Sequence, residues 1–435
     1  MKMPMLSAAL AVLLAAPCRG LSVESRPTAT RTWSGVPQAP ADPILGVAEA
    51  FRSDASPDKI NLGIGAYRDD GGAPWVLPSV RAAEGKLHEQ ACDHEYLGMA
   101  GLPAFVGAAL RFAYGSECAA LAAGRVAAIQ TLSGTGACRA AGVFLERFSS
   151  ADTVYVSAPT WGNHIPIFEE AGLKVERYRY FDAATNGLDF AGMLADVEAA
   201  PDGSVFLLHA CAHNPTGVDP TKEEWDLISD AILAKGHHVL MDCAYQGFAS
   251  GDAEADAYAI RLFLDRGHSL LLAQSFAKNF GLYGERVGTL SVACKDADEA
   301  ARVLSQLKLI IRPMYSSPPI HGALIVSEVL GDEALSKQYY QECADMATRI
   351  GGMRKQLRSE VEAAGSTHDW KHVTDQIGMF AFTGMDSDMC DVLTDTHNIF
   401  LTRDGRISIA GLNADNIKVV AKAIHDVTDG KAIGA

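Results

Sequence analysis

Short runs rich in apolar residues recur along this chain at positions 126–132, 153–157, 205–210, 238–241 and 270–273, with a further one at 174–180. Most are continuous rather than alternating and too short for helices, which predicts strands buried on both faces. Between them, 137–148 and 225–234 have helical spacing, as do 44–52, 79–90 and 103–114 ahead of the first strand. Strand alternating with helix from about 126 to 290 predicts a mostly parallel sheet covered by helices on both sides. Beyond it, 303–311 reads as helix, and a long helix spans about 321–360 with a break near Gly331. The rest mixes short strands and helices, with 404–408 as a turn into a strand. The expected architecture is therefore α/β. A large domain occupies 75–345 and a smaller α/β domain 346–435, and 32–74 supplies an N-terminal arm and part of the smaller domain.

The first residues depart from this pattern. An apolar run at 6–16 is too short to span a bilayer and fits the core of a signal peptide. Positions 19–31 hold three arginines, several Ser and Thr and one acid, Glu24, like a transit peptide. Residues 1–31 are read as a targeting segment, with the mitochondrial matrix as destination and a plastid, reached by signal plus transit peptide, as the alternative. Four prolines within 27–43 predict an extended arm.

Charge narrows the function classes. A formal net charge of −16 gives no basic face for nucleic acid, so an acidic substrate would need local arginines. Nine cysteines without a CxxC pair argue against a disulfide framework, and the nearby Cys211 and His213 lack a second ligand pair at zinc spacing. No metal site is expected.

The chemistry lies where the strands end. Ser133, Trp161, Asn214, Asp242 and Lys278 each follow or close an apolar run, and ligands of open α/β sheets bind at the carboxyl edge. Lys278 alone also reads as a solvated loop lysine, and Trp161 as a core or rim residue. The strand–turn–helix at Ser133-Gly134-Thr135-Gly136 suits phosphate, through free N–H groups and the helix dipole. It nearly fits a dinucleotide fingerprint, but Arg139 stands where the last glycine would be. A partly desolvated lysine, a phosphate cradle, an aromatic residue and an aspartate in one crevice together suit pyridoxal phosphate, with Asp242 at the ring nitrogen and Tyr245 or Asn214 at the ring oxygen. Arg286 joins the cradle. A nicotinamide-dependent dehydrogenase would leave Lys278 and Asp242 unexplained, and a non-catalytic binding protein would leave Lys278 so.

The segments NLGIGAYRDD, SGTGACR, PTWGNH, LLHACAHNPTGVDP, QSFAKNFGLYGERVG and GRISIAGL, in this order along the chain, resemble the class I aspartate aminotransferases, pyridoxal-phosphate enzymes of fold type I. The resemblance runs from about Trp33 to the end and is nearest the mitochondrial form. It implies reversible transfer of the amino group of L-aspartate to 2-oxoglutarate, an aromatic or broad-specificity aminotransferase being the alternative. It further implies that Lys278 bonds the cofactor aldehyde and shuttles the proton, and that Asp242 pairs with the ring nitrogen, supported from behind by His164. Trp161 would stack on the ring, with Tyr245 and Asn214 at its oxygen. Ser133, Gly134, Thr135, Ser275 and Arg286 would take the phosphate. Arg406, with Gly65 and Asn214, would bind the substrate α-carboxylate. Arg312 would reach the distal carboxylate, and Tyr96 the phosphate, from the partner chain of a homodimer with shared sites; no nucleic acid or membrane is implied. Gly284, Ser317 and Cys138 depart from the usual LYNER, SNPP and SGTGALR patterns.

Overall fold

The computed structural model describes residues 33–40, 42 and 45–433, so the targeting segment read at 1–31 lies outside the described residues. Residues 33–40 form an exposed stretch with one turn, closed by a hydrogen bond from Val36 N to Trp33 O of 2.9 Å.

From residue 42 onward the organising element is a seven-stranded sheet. In chain order its strands are β1 (Val126–Leu132), β2 (Thr153–Ala158), β3 (Lys174–Arg179), β4 (Val205–His209), β5 (His238–Cys243), β6 (Ser269–Ser275) and β7 (Val287–Ala293). In space the order is β1-β7-β6-β5-β4-β2-β3. β2 to β6 pair in parallel, with Asp242 beside Ala273 and His209 beside Asp242. β7 lies antiparallel between β1 and β6, with Val287 opposite Leu132 and Gly288 opposite Ser275. This reversed strand is the one element of the sheet that the apolar pattern did not single out.

Alternate residues feed two cores, as a sheet buried on both faces requires. Leu207, Leu240 and Leu271 pack with Ala137, Ala141 and Leu145 of helix α1 (Ser133–Phe148). Phe206, Met241 and Leu272 face the other way, against Ile228, Ile232 and Phe263. A third core joins the two ends of the body, and Ile60–Asn61 there pairs in parallel with Ile399–Phe400.

Several boundaries move from their sequence-based positions. α1 begins at Ser133 rather than 137, because the glycine-rich turn is itself the first helical turn. β6 continues through Gln274 and Ser275, both buried. The break near Gly331 is present: α2 (His321–Gly331) ends there, and Asp332 caps α3 (Glu333–Ala363) by accepting from Leu335 N at 3.0 Å. Near the end, β8 (Phe380–Phe382) and β9 (Arg406–Ser408) pair antiparallel. Among the described residues no helix is long and apolar enough to cross a membrane.

Candidate active site

Because β1, β2 and β4 to β6 run the same way, their carboxyl ends open onto one cleft. Ser133, Gly134 and Thr135 line it from the turn after β1, and Trp161 from the loop after β2. Asn214 enters after β4, Asp242 and Tyr245 from the end of β5, and Ser275, Lys278 and Arg286 from β6 and its loop. Three residues that the sequence did not assign to this site, His209, Cys211 and Ala244, complete the wall. The Ser133 and Ser275 hydroxyls meet at 2.8 Å although β7 separates their strands. Ser133, Ala212 and Arg286 hold φ of 59°, 49° and 54°. Left-handed backbone in residues with a Cβ costs on the order of 1–3 kcal/mol each, and such strain clusters at functional sites.

Electrostatics set the protonation states. Burial pushes the Lys278 amine down to about 8, against the pull of Asp242 and with help from Arg286 and Arg406. Burial alone would raise Asp242, but the His164 hydrogen bond and the neighbouring His164, His209 and Lys278 hold its carboxyl below the usual range. His164 Nε2 lies 3.2 Å from Asp242 Oδ2.

A directed chain of hydrogen bonds runs behind this pair. The backbone N–H of Asn214 can only donate, so His209 Nδ1 accepts it, at 3.1 Å. Burial pushes His209 down to about 3, so its one proton sits on Nε2 and points at Thr160 Oγ1, 3.5 Å away. Thr160 Oγ1 also meets His164 Nδ1 at 2.9 Å, and the Asp242 carboxylate can only accept, so His164 Nε2 donates to it. The sequence offered no signal for His209 beyond its place at the end of a buried strand, where a histidine reads as core.

Arg406 and Gly65 lie beside this cleft rather than in its lining. Arg406, 3% exposed, donates from one terminal nitrogen to Gly63 O at 3.0 Å and from the other to Asn214 Oδ1 at 3.4 Å. Its Nε is buried without a partner among the described residues. The contact is thus with Gly63, while Gly65 packs on Phe380. Asp219, also missed, anchors the Asn214 turn by accepting from Ala212 N at 2.6 Å and His213 N at 2.9 Å.

Two of the expected residues are not brought to this cleft within one chain. Arg312 is exposed and bonds Ser316 Oγ, and Tyr96 is 88% exposed. Of the three departures, Cys138 is buried with ligand atoms of His164 and Asp242 within 4.8 Å, and burial holds its thiol protonated. A Cβ at Gly284 would meet nothing within 4 Å, and Ser317 lies in the turn after Arg312.

A lysine amine poised near neutrality opposite a carboxylate at the carboxyl edge of a parallel sheet defines an amine–carbonyl chemistry site. The chain belongs to the class I and II aminotransferases, whose family model matches residues 57–424. It is 52% identical over 401 residues to the mitochondrial aspartate aminotransferase of Dictyostelium discoideum, covering 92% of this chain and 94% of that protein. The cytoplasmic aspartate aminotransferase of Saccharomyces cerevisiae superposes with a TM-score of 0.90 at 45% identity, over 92% of this chain and 99% of that one. An aromatic-amino-acid aminotransferase from Burkholderia pseudomallei, covalently bound to pyridoxal phosphate, superposes with 0.88 at 42% identity, over 91% and 98%.

Proposed function

We propose that this aminotransferase exchanges the amino group between L-aspartate and 2-oxoglutarate, giving oxaloacetate and L-glutamate, with pyridoxal 5'-phosphate as cofactor. The observation that carries the reading is the Lys278 amine and the Asp242 carboxylate facing one cleft beside the Ser133–Ser275 hydroxyl pair. When bound, the cofactor supplies an aldehyde and a ring that spreads the electron pair left on an α-carbon after its proton departs.

The residues fit that group. A Cβ on Gly134 would lie 3.3 Å from Ser275 Cβ and 3.9 Å from Asp242 Oδ1, so a bare backbone keeps this corner open. Ser133, Gly134, Thr135, Ser275 and Arg286 would hold the phosphate, with Tyr96 of a second copy. Asp242, kept anionic, would face the ring nitrogen, Trp161 its face, and Tyr245 and Asn214 its oxygen. Lys278 Nζ, able to shed its proton near pH 8, would take and return the substrate α-proton. Arg406, with Asn214 and Gly65, would bind the α-carboxylate, and Arg312 of a second copy the distal one.

The relatives' names support aspartate as substrate and a mitochondrial location; nothing in these comparisons supports the plastid alternative. The aromatic-substrate reading draws on the Burkholderia neighbour, and the role of Arg312 separates the two. The purified protein is expected to absorb in the visible and to transaminate aspartate, with Lys278→Ala folded but inactive. A parent protein without visible absorbance, or a Lys278→Ala variant of near-parent activity, would overturn the reading.

A further inference from the structure

Arg354 lies on the buried face of α3, in register with Ile350, Leu357 and Val361, where the helical period calls for an apolar residue. It is 3% exposed and forms no ion pair among the described residues. Burying a guanidinium without a carboxylate is costly, so its hydrogen bonds must be specific ones. All of them go to backbone carbonyls: Nη1 to Val373 O at 2.9 Å, Nη2 to Gly378 O at 2.9 Å and to Phe380 O at 2.5 Å.

Those carbonyls flank the segment that joins both arms of the substrate-side wall. Ile377 N donates to Gly217 O at 2.8 Å, in the turn that carries Asn214. Phe380 opens β8, whose Phe382 pairs with Arg406 of β9. The Phe380 ring stacks under the Arg406 guanidinium, 4.2 Å from centroid to Cζ. The ring also abuts Gly65, where a Cβ would stand only 2.6 Å from Phe380 Cζ. The ring is therefore confined between Gly65 and Arg406, and its backbone is pinned by Arg354.

We propose that Arg354 is a positioning residue for substrate binding, fixing Phe380 beneath Arg406 so that the guanidinium presents its free donors to a carboxylate. This rests on the proposed role of Arg406 and deepens it. A lysine offers a point charge and cannot span carbonyls as a planar fork does, so Arg354→Lys restores the function only in part. Because the α-carboxylate is common to all amino acids, the effect falls equally on diacid and aromatic substrates.

The test uses the cofactor-loaded parent, Arg354→Lys, Arg354→Met, Phe380→Leu and the double variants with Phe380→Leu. Aspartate and phenylalanine kinetics, succinate binding and thermal denaturation are measured on each. Arg354→Met is expected to raise KM and the succinate Kd about tenfold while kcat stays within about twofold, a loss of binding common to ground and transition states. Arg354→Lys falls between, and the double variants are no worse than their weaker-binding single, the non-additivity of residues acting through one contact. A lowered Tm with unchanged KM and Kd would overturn the proposal, as would a double variant whose losses multiply to roughly a hundredfold. If Arg354→Met does not fold, the Lys and Phe380→Leu cycle decides by the same criterion. A parent that transaminates no amino acid would refute the functional reading itself, an outcome distinct from a normal parent with normal variants.

Discussion

Lys278 meets opposing influences, and their balance is measurable without any substrate. Burial, Arg286 and Arg406 favour the neutral amine, Asp242 the ammonium, and the outcome is a group at about 8. In an unfolded chain a lysine titrates near 10.4, so between about 8 and 10.4 the unfolded state binds one more proton. Stability of the cofactor-free protein therefore rises with pH across that window, and the penalty is complete below it. At 1.36 kcal/mol per unit the penalty is about 3 kcal/mol. Cofactor-free Lys278→Met lacks it, so urea denaturation should find this variant more stable than the parent at pH 7, with the gap closing toward pH 10. A gap that does not change with pH would refute the depressed amine. The same residue shows what sequence reasoning reaches. Its position past a buried strand was legible from the apolar run, but its ionisation was not, because its burial and the charges of Asp242 and Arg406 come from distant parts of the chain.

Strand β7 shapes the cradle from below. Gly288 faces Ser275 across the ladder, and a Cβ there would lie 2.4 Å from Gln274 O and 2.8 Å from Ser133 Cα. These are backbone atoms on either side, so neither can yield as a side-chain tip would. Gly288→Ala is expected to lose roughly 1–3 kcal/mol, the usual cost of overpacking, and to shift Ser133. The check is visible absorbance per chain after gel filtration, which should fall well below the parent's; full retention would count against this close approach. The parallel strands were legible because β4, buried at every position, reads as a continuous apolar run from Val205 to Leu208. β7 was not, since VGTLSVA mixes small and polar residues and strand direction leaves no mark on composition. The Asn214 turn was recognised by its Asn-Pro-Thr-Gly chemistry, but the anchor Asp219 was not, because a carboxylate two residues past a glycine reads as solvated.

At the scale of the whole molecule, the open question is what lies beyond one chain. Arg312 and Tyr96 stand exposed, away from their own cleft, and the functional reading assigns both to a neighbouring copy's site. Losing a desolvated pairing with the distal carboxylate costs roughly 3–5 kcal/mol, two to four powers of ten in kcat/KM. Arg312→Ala should lose that much on aspartate while keeping its activity on phenylalanine. Equal losses on both substrates would remove Arg312 as the diacid selector. Mixing inactive Lys278→Ala with Arg312→Ala chains should restore activity, because each hybrid dimer owns one site with both residues intact. Random exchange would yield roughly a quarter of parent activity, and silence after verified subunit exchange would exclude the shared arrangement.

The hydrogen bond from Arg406 to Gly63 O joins residues 343 positions apart, whereas the cofactor-facing wall spans 133 to 286. Closing so long a loop is slow, since its entropy must be lost before any contact forms. During synthesis the wall around Lys278 can therefore form well before Arg406 arrives. A chain cut short of residue 406 keeps every cofactor-facing residue named here yet lacks the counter-charge for an amino acid. Competence thus comes in two stages, and the second waits for the last thirty residues.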